Sequence, residues 1–132
     1  MSALKINLFE KERCRIVHKH SETSINTDGP LEWGGKGRTF SPTDLVSAAL
    51  GSCILSILEP IFERNGYDPQ KLELNIVKEL SEKPMMIKSF TIDISYPDKL
   101  EESFMKKALK TIDICPVKRS ISPDVEITIN FA

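Results

Sequence analysis

Apolar and polar residues alternate along Leu4-Lys5-Ile6-Asn7-Leu8 and again along Arg13-Cys14-Arg15-Ile16-Val17-His18. A period of two is the pattern of a half-buried strand. Lys11-Glu12 supplies a turn between the two strands, and Thr23 to Thr27 reads as a weaker third strand closed by Asp28-Gly29-Pro30. A glycine-rich loop, Leu31 to Phe40, follows. The period then changes to that of a helix, expected from Pro42 to about Asn65 and closed by Gly66. Alternation resumes in Leu72–Val77 and Phe90–Tyr96, joined through Lys83-Pro84 as an antiparallel pair. Leu100, Phe104, Ala108, Leu109 and Ile112 form the apolar stripe of a second helix, with Asp98 as its expected cap and Glu101 as the capping-box partner. Pro116-Val117 opens a short helical turn, and Val125–Phe131 closes the chain as a strand. The order β-β-β-α-β-β-α-β predicts an α+β fold, helices packed on antiparallel sheet.

The first helix is the most informative stretch. Ser41 is a natural N-cap, Pro42 suits the first helical position, and Asp44 can bond back across the first turn. Leu45 to Cys53 then carries no charge and is rich in Ala, Ser and Gly. A helix apolar nearly all round needs more cover than one small sheet supplies. This predicts a homodimer in which two such helices meet.

Composition narrows the function. One domain, residues 1–132, is expected from the length. Lys and Arg total 18 against 19 Asp and Glu, for a net charge of −1, which argues against a nucleic-acid surface. No signal peptide and no run of about 20 apolar residues stands out, so a cytoplasmic protein without a membrane partner is expected. His18 and His20 lack a third ligand, and neither metal nor cofactor is expected. Three cysteines, Cys14, Cys53 and Cys115, make no disulfide scaffold and no zinc ribbon; a role shared by two of them is redox or catalytic.

Each cysteine also has a plain reading as a small buried hydrophobe. Cys14, between two strand arginines, is expected to face the core and stay inert. Cys115 precedes Pro116, so its thiol should stand at a helix start, with Lys118 and Arg119 near, an environment that lowers a thiol pKa. The glycines at 34, 35 and 37 can cradle an anion, although their spacing fits neither the Walker nor the Rossmann fingerprint; the loop is either a connector or the element that brings Arg38 or Trp33 to a pocket at the helix start.

Ser41-Pro42-Thr43-Asp44-Leu45-Val46-Ser47-Ala48-Ala49-Leu50-Gly51-Ser52-Cys53, together with the later Cys115-Pro116-Val117, resembles the OsmC/Ohr family of osmotically inducible and organic-hydroperoxide-resistance proteins. The resemblance covers nearly the whole chain. It implies an OsmC-like fold, an intertwined homodimer with sites at the interface, and a peroxidase reducing organic hydroperoxides or hydrogen peroxide in oxidative-stress defence. It maps the peroxidatic cysteine to Cys53 and the resolving cysteine to Cys115. The implied reductant is an external dithiol, a lipoylated protein or a small thiol. In the family a Glu directly after the helix-start Pro pairs with an Arg that activates the thiolate. Here Thr43 holds that position and the carboxylate is Asp44, about 100° further round the helix. Asp44 is either that carboxylate displaced or a helix cap, and the activating arginine is Arg38, with Arg13 and Arg15 as alternatives. The displaced carboxylate leaves a second function open: a dimer binding a small apolar or thiol ligand in its interface pocket, with little peroxidase activity.

Overall fold

A computed structural model describes residues 3–132. Its elements are β1 (Leu4–Glu10), β2 (Arg13–His18), β3 (Ser24–Asn26), α1 (Pro42–Arg64), β4 (Glu73–Glu82), β5 (Met85–Ser95), α2 (Glu102–Ile112), α3 (Pro116–Ser120) and β6 (Glu126–Phe131). The chain divides into two compact units, one ending at Val46 and the other spanning Ser47–Ala132.

The first unit holds an antiparallel sheet in the order β1-β2-β3. Leu4 pairs with His18, Ile6 with Ile16, Leu8 with Cys14 and Ile16 with Ile25. Directly paired residues share a face, so the alternation read from the sequence does gather these apolar side chains on one side. That side is uncovered: Ile6 is 57% and Leu8 72% exposed, and every residue of β1 is open to solvent. The strand expected to be half-buried at the N-terminus therefore has the right pleat and is exposed along its length. Glu12, in the β1–β2 turn, takes a left-handed φ of 63°.

The start of α1 follows the expected chemistry. The Ser41 N–H donates to Asp44 Oδ2 at 2.9 Å, and the Asp44 N–H donates to Ser41 Oγ at 3.0 Å. This reciprocal pair is a capping box with an aspartate in the glutamate position, and it satisfies two backbone donors that the helix leaves unpaired. At the other end Gly66 adopts φ +80°, and the Tyr67 N–H returns to the Phe62 carbonyl at 2.9 Å. Glycine reaches that conformation without a Cβ penalty and so stops the helix.

In the second unit β4 and β5 form the expected antiparallel hairpin. The last pairing departs from expectation: β6 runs parallel to β5, with Ile92 beside Ile129 and Ile94 beside Phe131. The helical crossover through α2 and α3 returns the chain to the end from which β5 began, and a parallel neighbour needs such a crossover. Leu50, Ile54, Leu58 and Phe62 of α1 are buried in one cluster with Phe90, Ile92 and Ile94 of β5 and Phe104, Ala108 and Ile112 of α2. Their spacings, three to four along the helices and two along the strand, are the periods read from the sequence. Gly51 lets Leu74 close in, since a Cβ there would lie 3.1 Å from Leu74 Cδ2.

Two expectations fail in detail. Asp98 does not cap α2; the helix begins later, after Glu101, which makes no side-chain cap, and Asp98 instead meets Lys71 Nζ at 3.2 Å. Against the expectation that no stretch reaches the length of a membrane span, the 23 residues of α1 are long and apolar enough by length and composition to cross a membrane. Its scattered Ser, Thr and Gly hid this from a count of consecutive apolar positions. Here its buried stripe belongs to the core just described.

Candidate functional site

Cys53 lies on α1, one position before the fully buried Ile54, and this places its sulfur at the edge of the core, half-buried. Cys115 follows the end of α2. Its N–H returns to the Ile112 carbonyl at 3.0 Å, and the residue is fully buried as the N-cap of α3. The two sulfurs lie 2.8 Å apart, with the Cys115 thiol donating to Cys53 Sγ, and both cysteines are free. Residues far apart in the chain thus meet because a buried helix and the start of a short one converge on the same core.

The electrostatics of Cys115 reverse the expectation from its position. Burial pushes its thiol pKa up, and the hydrogen bond to Cys53 pushes it further. The Lys118 N–H, donating to Cys115 Sγ at 3.4 Å, pulls the other way without prevailing. Desolvation disfavours the charged form, and the five residues of α3 do not offset it. Lys118 Nζ is engaged 3.0 Å from Asp113. Cys115 therefore keeps its proton and offers it to Cys53. The two sulfurs are close enough to join as a disulfide once one of them is oxidised.

Arg38 belongs to a different constellation in the first unit. Its Nε donates to Asp28 Oδ2 at 2.6 Å, its Nη2 to Asp28 Oδ1 at 3.4 Å and its backbone N–H to Oδ2 at 3.0 Å. The Gly29 N–H adds a further bond to Oδ1 at 2.9 Å. Asp28 is 1% exposed, and the Arg38 bonds hold its carboxyl far below the usual carboxylate range, against the opposing effect of burial. The sequence marked Asp28 only as a turn residue. Asp before Gly is a legible turn signal, but nothing in the sequence says that the turn is buried. Asp44, the carboxylate proposed for the family's activating pair, bonds the backbone N–H of Ser41 as a helix cap.

The remaining residues singled out earlier are more ordinary. Arg13 donates to the Thr27 carbonyl at 3.3 Å and lies 3.4 Å from Glu10; Arg15 is exposed. Cys14 is half-buried opposite Leu8, on the uncovered face of the first sheet. Trp33 sits half-buried in a 3-10 turn, Leu31–Trp33. His18 lines an apolar cavity of ≈ 280 Å³ with Leu4, Ile16, Thr23, Ile25 and Leu45. Among the described residues no three His, Cys, Asp or Glu side chains come together as a metal ion would require.

Known proteins share the fold that carries these residues. The family model described as OsmC-like protein matches residues 35–130. A solved structure from Psychrobacter arcticus, of a protein named for an osmotic stress induced and detoxification response, is 29% identical, with a TM-score of 0.91 over 100% of this chain and 96% of its own. The organic hydroperoxide resistance protein OsmC of Legionella pneumophila is 13% identical, with a TM-score of 0.82 over 100% of this chain and 96% of its own. The organic hydroperoxide resistance protein OhrB of Bacillus subtilis is 14% identical, with a TM-score of 0.72 over 100% and 98%. The last two likenesses concern the fold alone. No curated protein matches the chain.

Proposed function

Because the chain belongs to the OsmC-like protein family, with a redox or stress role as its setting, we propose that it is a cytoplasmic thiol-dependent peroxidase acting on organic hydroperoxides or hydrogen peroxide. The observation that supports this most is the 2.8 Å approach of Cys115 Sγ to Cys53 Sγ, one thiol half-exposed and the other buried. Cys53, as thiolate, attacks the outer peroxide oxygen. The O–O bond breaks, the sulfur is oxidised by two electrons to a sulfenic acid, and the alkoxide leaves as alcohol after taking a proton. Cys115 sulfur then attacks Cys53 sulfur, the S–O bond breaks, and the Cys115 proton leaves with the hydroxide as water. An external dithiol, a lipoylated protein or a small thiol, restores both thiols and becomes a disulfide itself. Arg38 is the candidate cation that favours the thiolate.

The proposal includes a homodimer. Leu4, Ile6 and Leu8 expose an apolar sheet face that a second copy would cover. A second reading, a dimer that binds a small apolar or thiol ligand with little peroxidase activity, draws support from the apolar cavity beside Leu45 and from Asp44 being engaged as a cap. Steady-state consumption of cumene hydroperoxide with a dithiol reductant separates the two. The peroxidase reading expects turnover that Cys53→Ser removes. Turnover absent from the wild type, or unchanged in Cys53→Ser, favours the binding reading.

A further inference from the structure

The second unit sorts its surface charge by side. The solvent face of its sheet carries Glu73, Glu79, Asp93 and Glu126, with Lys88 engaged by Glu79 at 3.5 Å. The helical segment that holds Cys115 is the reverse. Residues 103–121, through α2 and α3, contain Lys106, Lys107, Lys110, Lys118 and Arg119 against the single carboxylate of Asp113, in a chain whose net charge is −1. Lys106 reaches Glu102 at 3.9 Å, and Lys118 reaches Asp113 at 3.0 Å. Lys107, Lys110 and Arg119 are exposed and have no such carboxylate partner among the described residues.

Two apolar side chains lie open on the same segment. Leu109 is 39% exposed, and Ile114, next to Cys115, is 57% exposed. Open apolar side chains among charges of one sign are the make-up of a protein-docking patch. The redox pair needs a visitor at this place. Cys115 is 0% exposed, so an external thiol reaches a Cys53–Cys115 disulfide only at Cys53, whose sulfur lies against the residue that starts α3. Lys110 stands five residues before Cys115 and Arg119 four after it. A carrier arriving at Cys53 therefore enters the field of these cations, which physiological salt screens over about 8 Å.

We infer that the exposed surface of α2 and α3, with Lys107, Lys110 and Arg119 beside Leu109 and Ile114, is the docking surface for an acidic protein that carries the reducing dithiol. This rests on the proposed redox pairing of Cys53 with Cys115. The docked thiolate attacks the Cys53 sulfur; the Cys53–Cys115 bond breaks, and its electron pair goes to the Cys115 sulfur, which takes a proton. The carrier's second thiol loses its proton, attacks the mixed disulfide and releases Cys53. The carrier ends as a disulfide and the protein as two thiols. The cations steer the carrier and take no part in the exchange.

The test closes the disulfide with diamide, so that no peroxide is needed, and follows its reduction by dithiothreitol and by two synthetic peptides. The peptides share one Cys-x-x-Cys dithiol, flanked by glutamates in one and by lysines in the other. The slightly acidic chain as a whole would favour the lysine peptide, so a preference for glutamate reports this surface. At low salt the glutamate peptide is expected to react about tenfold or more faster than the lysine peptide, and the difference is expected to shrink as salt is raised. Lys107→Glu/Lys110→Glu and Arg119→Glu should each bring the ratio of the two rates toward one while the dithiothreitol rate stays that of wild type. Melting curves establish folding, and Lys107→Gln/Lys110→Gln stands in should the reversal variant fail to fold. Equal rates for the two peptides overturn the inference, as does a ratio that the variants leave unchanged or a dithiothreitol rate that falls with them. A variant that alters the sedimentation coefficient shows that a second copy occupies the surface, which overturns it too. Failure of diamide to join Cys53 to Cys115 sinks the redox pairing itself, and the docking with it.

Discussion

The two units of this chain solve the same problem in opposite ways. The second buries apolar side chains and leaves its charges outside: Ile54, Leu58, Phe62, Phe90 and Ile92 are sealed, while Glu73, Glu79 and Asp93 of β4 and β5 face solvent. The first buries a charge and leaves apolar side chains outside: Asp28 is enclosed while Ile6 and Leu8 are open. A contiguous apolar face of this kind marks an interaction site more often than an accident of composition. The second unit carries its own core and the paired thiols. The first unit's cohesion rests more on directed hydrogen bonds and ion pairs, and one face of its sheet is exposed at Ile6 and Leu8.

That contrast predicts different responses to perturbation. The largest effect is expected in the second unit. Ile92→Ala should lower stability by about 2–5 kcal/mol in denaturant unfolding, from lost burial and the cavity left behind. A loss below about 1 kcal/mol would mean that the sealed core is not where stability resides. In the first unit the matching change is addition of charge to the open face. Ile6→Lys should weaken self-association by about a hundredfold or more, because covering the face would then bury an ammonium group. Sedimentation velocity reads this directly, and an unaltered oligomer would mean that the face is not an interface.

A subtler effect concerns acid. The Arg38 bonds hold the folded Asp28 carboxyl well below its usual range, so the unfolded chain binds that proton first as the pH falls. The stability contributed is present above about pH 4 and is lost as the pH drops below it. Wild type should therefore lose stability toward acid more steeply than Asp28→Asn. Parallel acid-unfolding curves would break the link between the Asp28–Arg38 pair and the first unit's cohesion.

Local chemistry was the most legible part of the fold. Ser41, Pro42 and Asp44 announced the start of α1, Gly66 announced its end, and Phe104, Ala108 and Ile112 gave the buried face of α2. The strand pleats were also legible, because alternation determines which side chains share a face. What the alternation could not say is whether the face is covered, which is why β1 read as half-buried and is open. Asp98 carried a cap signal as good as that of Asp44, yet it bonds Lys71, a partner distant in sequence. The direction of β6 depends on the crossover and not on its own residues. The cysteines were singled out by position and by family resemblance, but their 2.8 Å approach, the upward push on the Cys115 thiol and the enclosure of Asp28 all depend on burial, and burial is a property of the folded chain.

The central claim, that Cys53 and Cys115 act as one redox pair, is tested most directly by treating the fully reduced protein with a single equivalent of cumene hydroperoxide and mapping the non-reduced peptides by mass spectrometry. The account predicts loss of both thiols together, with Cys14 still free, and a peptide joined through Cys53 and Cys115. Cys53 oxidised to sulfinic or sulfonic acid beside an intact Cys115 thiol, or all three thiols untouched, would contradict it.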